Sequence, residues 1–214
     1  MIEMLAQRFN EGGPFMWAIL VVLAAACAIV IERLIFYFIL GNADGVKLVA
    51  DIAKALNSDK LEEAKKAAGR KKAPVHILVQ TALEGYGAGM SLDDIQERVE
   101  QSAIKELPKM TTRLNYLSLF ANISTLLGLL GTIAGLQVSF QSLGTVEAAQ
   151  KAVMLAKGIS QAMNTTAFGL TVAIPCMIAF TVLSNKQQSL TKDLDETVVK
   201  VLSYLKKKLE QSKK

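Results

Sequence analysis

The sequence predicts an all-α membrane protein with three spanning helices and long helical extensions on one side of the bilayer. Three observations carry this reading. Of the 214 residues 51% are hydrophobic while 20% are charged, a combination that requires the apolar residues to be clustered. Residues 12–31, 114–146 and 158–185 contain no Asp, Glu, Lys or Arg, and each run reaches the roughly 20 residues that a spanning helix needs. Between and after these runs, apolar residues recur at spacings of three and four, and no strand alternation is present.

Residues 1–13 open the chain with Ile2, Leu5, Ala6 and Phe9 at helical spacing before Gly12-Gly13-Pro14 breaks the turn. This predicts a short amphipathic helix on the outer membrane surface. The first span covers 14–40. Ala24-Ala25-Ala26-Cys27 is faintly similar to a lipoprotein cleavage site, but Glu3 and Glu11 against Arg8 do not make a cationic leader, and the apolar run continues to Ile31. An uncleaved span is therefore expected. Glu32 and Arg33 near its inner end are read as an adjacent ion pair that snorkels to the interface.

The segment 41–112 is read as a small helical domain. Val49, Ile52 and Leu56 mark one helix, and Asn57-Ser58-Asp59 is expected to cap the next, which carries Leu61 and Ala64 and stops near Gly69. Pro74 opens a third helix to about Tyr86. Gly85, Gly87 and Gly89 form a turn, and Ser91-Leu92-Asp93-Asp94 resembles a capping box ahead of a stripe at Ile95, Val99 and Ile104. The second span covers 113–143, a loop 144–157, and the third span 158–185. The tail 186–214 places Leu190, Leu194, Val198, Val201 and Leu205 on one seam, which wants a neighbouring helix from the same chain or another copy; contact between copies is slightly favoured.

Lys and Arg set the orientation, because cationic loops stay in the cytoplasm. Arg8, Lys151 and Lys157 lie on one side; every other Lys and Arg falls between Arg33 and Arg113 or from Lys186 onward. The N-terminus and the 144–157 loop are expected outside, in the periplasm, with 41–112 and the tail in the cytoplasm. The net charge of +5 then records topology and not nucleic-acid binding. Cys27 and Cys176 both fall within spans, so free thiols are expected rather than a disulfide.

The second span carries two heptad rows, Ser118, Thr125, Thr132 and Ser139 beside Ala121, Gly128, Gly135 and Ser142. The third repeats the pattern with Ala162, Gly169 and Cys176 next to Thr166 and Ala173. Small residues let helices approach, and hydroxyls bond across helices or line a wet path. Spacing alone favours packing over conduction. Thr132 and Thr166 stand deepest in their spans, and neither titrates at accessible pH, so a moving ion would need a carboxylate from elsewhere.

Gly128-Leu129-Leu130-Gly131-Thr132-Ile133-Ala134-Gly135, and the run from Gly158 through Gln161, Asn164, Thr165, Thr166 and Gly169 to Ala173-Ile174-Pro175, resemble the MotA/TolQ/ExbB proton channel family, nearest its ExbB/TolQ branch. The resemblance implies a homo-oligomeric, pentameric bundle in the bacterial inner membrane whose central pore holds a single-span ExbD/TolR-like partner. That partner supplies the missing aspartate, and ion flow energises a TonB- or TolA-like protein. It also implies that Thr132 and Thr166 face the aspartate and that Pro175 bends the third helix. Gln161 stands where many members have glutamate, leaving proton or sodium open as the ion, with Asn164, Thr165 and Thr125 as further polar groups of the path and Gly128, Gly135 and Gly169 as packing positions. A passive membrane scaffold and a gliding-motor stator are the alternatives. No enzyme is expected: His76 is the sole histidine and no Ser/His pair can form in the spans. No cofactor or metal is expected either, because ligand-spaced Cys and His are lacking.

Overall fold

The computed structural model describes residues 9, 12–41, 45–58, 60–71, 73–144 and 147–212. Its helices are α1 (Pro14–Gly41), α2 (Gly45–Asn57), α3 (Leu61–Ala68), α4 (Pro74–Gly87), α5 (Leu92–Thr111), α6 (Leu114–Ser142) and α7 (Ala148–Ser212). No strand occurs among the described residues. Three helical runs, Pro14–Phe38, Leu92–Ser142 and Gln150–Gln211, contain stretches long and apolar enough to cross a membrane. The expected surface helix over 1–13 lies largely outside the described residues. The helical conformation of α7 begins at Ala148 and so extends through most of the segment expected as a loop, because 148–157 is rich in Ala, Met, Leu and Lys and meets no breaker before Gly158.

The chain divides into two compact units, one of residues 1–32 and 113–182, the other of 33–112 and 183–214. In the first, α6 buries Leu117, Ala121, Ser124, Gly128, Gly131, Gly135 and Ser139. These positions alternate by three and four, the period of a seam between closely aligned helices. α7 buries Gly158, Ala162, Thr165 and Gly169 at the same alternation. α1 is covered along a narrow line through Met16, Ile19 and Ala26, while Trp17, Val21 and Ile31 are exposed. Such apolar exposure is what a lipid-facing helix presents.

The second unit has a conventional apolar core. Leu48, Ile52 and Leu56 of α2 meet Leu78, Val79 and Leu83 of α4, Ile95 and Val99 of α5, and Leu194, Val201 and Leu205 of α7. The tail seam thus packs inside its own unit, correcting the preference for a second copy. The face it needed is supplied by α2, of which Ile52 and Leu56 were legible while Val49, half-buried, was read in place of the buried Leu48; so short a stripe did not imply a long partner. Tyr204 fastens the pair, its hydroxyl donating to Asn57 Oδ1 and lying 3.4 Å from the Ala53 carbonyl. The capping box forms as expected, with Ser91 Oγ accepting from the Asp94 amide at 3.2 Å. The α5 stripe is Ile95, Val99, Ala103 and Leu107; Ile104 is 73% exposed, one residue and so about 100° off that line. Asp59 lies outside the described residues. Ser58 does not cap α3, whose N-cap is Lys60; its Oγ donates to the Lys54 carbonyl instead.

The last carbonyls of α5 would be orphaned by the end of the helix. Arg33 Nη1 donates to the Lys109 carbonyl at 3.2 Å and Tyr37 Oη to that of Met110 at 2.7 Å. The Arg33 guanidinium also lies 5.1 Å from the centre of the Phe36 ring. In the first unit, Arg113 Nη1 donates to Glu32 Oε2 at 2.5 Å. Glu32 and Arg33 thus each reach a long-range partner.

His76 is buried in the second unit, and its Nδ1 lies 2.9 Å from the Ala68 carbonyl, an arrangement that requires Nδ1 to carry the proton. Burial lowers its pKa below 6.5, against the opposing pull of that hydrogen bond. The unfolded chain therefore binds a proton that the folded chain resists. Its contribution to stability is complete above about pH 6.5 and is lost as pH falls through the lower folded value. The thermal midpoint should fall on acidification from pH 7 to 5, with a shallower slope in His76→Gln; identical slopes in the two proteins would remove His76 as the cause.

Candidate functional site

The polar positions of the two long apolar helices sort into packing and non-packing sets. Gly128 is placed so that a Cβ would stand 3.3 Å from the Thr166 Cα and 3.5 Å from the Gly169 Cα. At Gly135 a Cβ would meet the Ala162 amide and Gly158 carbonyl, both at 3.1 Å; at Gly169 it would meet the Ser124 carbonyl at 2.7 Å. These neighbours are backbone atoms and cannot swing aside. The small-residue rows of α6 and α7 are thus consumed in joining the two helices within one chain, the use that spacing alone favoured.

Thr166 lies on the margin of this seam. Its Oγ1 donates to the Gly128 carbonyl at 3.0 Å, the same oxygen that accepts the Thr132 amide in regular α-helical geometry. Thr132 Oγ1 turns back to the Leu129 carbonyl at 2.6 Å. The two threonines, far apart in sequence, thus converge on Gly128, which can be approached because it has no side chain. Thr132 and Thr166 are half-buried, and Thr125 is exposed with Oγ1 donating to the Ala121 carbonyl at 3.1 Å. Each hydroxyl proton is committed to a backbone carbonyl, leaving oxygen lone pairs as the groups available to an incoming donor or cation.

Thr165 is fully buried. Its hydroxyl contacts two carbonyls, Gly12 at 2.7 Å and Gln161 at 2.9 Å. Gln161 comes close enough that a Cβ at Gly13 would lie 2.5 Å from its Nε2; Gly13 has φ +75, where glycine is unstrained. Phe9 packs edge-on against Trp17 and Phe168. Thr165 and Gln161 therefore sit against the entry to α1, apart from the Gly128 carbonyl that Thr166 and Thr132 share. Asn164 is half-buried. α7 continues as a helix through Pro175. Cys27 and Cys176 are free thiols.

The sequence reading missed two features. The bond between Thr165 and Gly12 joins residues too far apart for any local pattern to pair them. Ser124 is completely buried, and its Oγ has no hydrogen-bond partner among the described residues. Its place in a heptad row with Leu117 and Gly131 was legible and marks it as a seam residue.

The chain matches the MotA/TolQ/ExbB proton channel family over residues 70–196, a region that contains both threonine motifs. Among individual proteins it is 26% identical to an ExbB homolog of Methanothermobacter thermautotrophicus over 181 residues, covering 84% of this chain and 63% of the relative. It is 26% identical to the biopolymer transport protein ExbB of Pseudomonas putida over 171 residues, covering 77% and 52%. It is also 36% identical to the Tol-Pal system protein TolQ of Pseudomonas aeruginosa over 106 residues, covering 48% and 46%. The chain thus spans between about half and just under two thirds of the length of these relatives.

Proposed function

Because this chain belongs to the MotA/TolQ/ExbB proton channel family, we propose that it is the stator and channel subunit of an ion-driven motor in the bacterial inner membrane. Five copies surround a single-span partner of the ExbD/TolR kind whose intramembrane aspartate carries the ion. The work is delivered to a TonB- or TolA-like protein, as in outer-membrane transport. The N-terminus is periplasmic and the C-terminus cytoplasmic, in keeping with the distribution of Lys and Arg.

The observation that carries this reading is the sorting of polar rows. Packing within the chain takes up the glycines and Ser139, and leaves Thr125 exposed and Thr132 half-buried at the margin of the seam. A hydroxyl row left at the outside of a spanning helix is better used against protein or water than against lipid. Since α6 and α7 carry no charged residue from Leu114 to Ser142 or from residue 158 to 185, the titrating group comes from the partner.

The passive-scaffold reading draws support from the same close packing, and ion flux separates the two. Proteoliposomes containing the chain with a co-expressed single-span partner that has an aspartate in its span should show ion uptake driven by an imposed potential. Uptake should vanish when that aspartate is replaced by Asn. Assembly of the intact pair with no flux above empty vesicles would establish the scaffold instead.

A further inference from the structure

The second unit contains a cleft that the motor reading does not use. It has a volume of about 490 Å³ and is lined by Asp51, Lys54, Ala55, Ser58, Lys60, Glu63, Lys66, Ala67 and Arg70, contributed by α2, α3 and the connections that follow them. It is an open depression in which every polar lining residue is exposed, and its size falls within the roughly 300–1,000 Å³ of small-ligand sites. Four cations line it against two carboxylates, and both carboxylates are engaged. Glu63 pairs with Lys60 at 2.9 Å, and Asp51 stands 3.9 Å from Arg70.

Lys54 and Lys66 are the remainder. Neither has a carboxylate within ion-pair distance among the described residues, although carboxylates are plentiful nearby. Glu62, the next acid along α3, is turned to Lys65 at 2.9 Å. Two ammonium groups without an ion-pair partner among the described residues therefore share this surface with an Arg and a third Lys. Mutual repulsion there is relieved by an anion that reaches several of them at once.

We propose that this cleft binds a compact, multiply charged phosphorylated anion. The lining offers no aromatic face on which a base could stack, and its only apolar residues are Ala55 and Ala67. Recognition is thus by charge and hydrogen bonds, with the Ser58 hydroxyl as a neutral partner. A phosphate presents three oxygens to ammonium and guanidinium donors, so two linked phosphates can satisfy Lys54, Lys66 and Arg70 together without displacing Lys60 from Glu63.

The anion could be a free phosphate compound or a lipid headgroup. Position within the second unit favours the free compound. Tyr204 is hydrogen-bonded to Asn57, at the end of α2 that opens into the cleft. About 27 Å of helix rise separate Tyr204 from Lys186, the first charge after the apolar run of α7. A headgroup beside Lys186 would have to reach most of that distance along α7.

The test uses the full chain in detergent micelles with inorganic tripolyphosphate as the probe, measured by titration calorimetry at low and physiological salt. Saturable binding is expected, weakened at least tenfold in Lys54→Gln/Lys66→Gln and unaffected in the control Lys105→Gln/Lys192→Gln, which removes equal charge from exposed positions elsewhere. Equal weakening in the two double variants would reduce the effect to net charge and overturn the site, as would absence of saturable binding. In a parallel arm, the chain in nanodiscs with and without phosphatidylglycerol should bind tripolyphosphate equally. Competition by the anionic lipid would overturn the free-anion assignment. No arm depends on ion flux, so a failed site leaves the motor reading standing, and the reverse also holds.

Discussion

Thr166→Val is expected to abolish ion-driven uptake while leaving the fold and the assembly in place. Valine matches threonine in shape and puts a methyl in place of the hydroxyl that donates to the Gly128 carbonyl at 3.0 Å, a contact relieved by a shift of a few tenths of an ångström. That carbonyl keeps the helical amide of Thr132, so no acceptor is stranded. Interhelical hydrogen bonds of this kind contribute about 1 kcal/mol in membranes, a loss the close-packed seam can absorb. The functional loss should be far larger. A hydrogen bond to a charged group is worth about 1.5–3 kcal/mol, which corresponds to a rate drop of roughly tenfold to more than a hundredfold if the Thr166 hydroxyl swings from the Gly128 carbonyl to donate to the partner's carboxylate when that group is charged. Thr132→Val should reduce flux in the same direction, and Thr166→Ser should restore most of it by returning the oxygen. Particle size by light scattering and flux in proteoliposomes give the two readouts. Wild-type flux in the Val variant would remove Thr166 from the ion path.

Gly169→Ala is expected to be among the most damaging single-methyl changes in the first unit. The added Cβ would lie 2.7 Å from the Ser124 carbonyl and 3.1 Å from the Gly128 Cα, both backbone atoms of the facing helix. Relief requires α6 and α7 to separate, which disturbs the neighbouring contacts at Gly128, Gly135 and Gly158 as well. Overpacking of this kind costs about 1–3 kcal/mol, and the thermal midpoint followed by circular dichroism should fall by several degrees. Flux should fall with it, because separation also breaks the Thr166 bond to Gly128. Gly87→Ala is the matched control. Its Cβ would meet Leu61 Cδ2 at 2.8 Å and Lys65 Nζ at 3.1 Å, ends of flexible side chains that can rotate away. If both variants melt alike, the seam has more slack than its geometry allows.

These two expectations draw on different kinds of information. The residues involved were legible in the sequence: Thr132, Thr166, Gly128 and Gly169 all stand out, because hydroxyls and glycines repeating every seven residues in an uncharged run violate the composition of a lipid-facing helix. Their division of labour was not legible. Heptad rows repeat identically whether they face a neighbouring helix, a partner or water, so the glycine row and the Thr125 and Thr132 row look equivalent until one of them is seen in contact. Gln161, Thr165 and Asn164 were grouped with Thr166 because they are neighbours in sequence, yet a helix turns about 100° per residue. Thr165 accordingly points to Gly12, while Thr166 points to Gly128.

The helical extensions of the second unit divide in the same way. Ser91 and Asp94 specified their helix start by local hydrogen bonding, which needs only the neighbouring residues, and Pro74 did so through its fixed backbone angle. The partner of the tail seam could not be read, because Leu194, Val201 and Leu205 would suit any apolar face of similar length. α2 provides that face inside the same unit.

Sequence by itself determined the three apolar helices, the Ser91 cap, the charge bias and the lack of Asp, Glu, Lys and Arg in the second and third spans, since each depends on local composition and helical period. Only the tertiary structure decided that the small-residue rows join α6 to α7, that Thr132 and Thr166 converge on the Gly128 carbonyl, and that the tail closes its own core. Those outcomes depend on which of several equally apolar or equally small surfaces come together, and that choice is made by backbone approach across distances in sequence that no periodicity encodes.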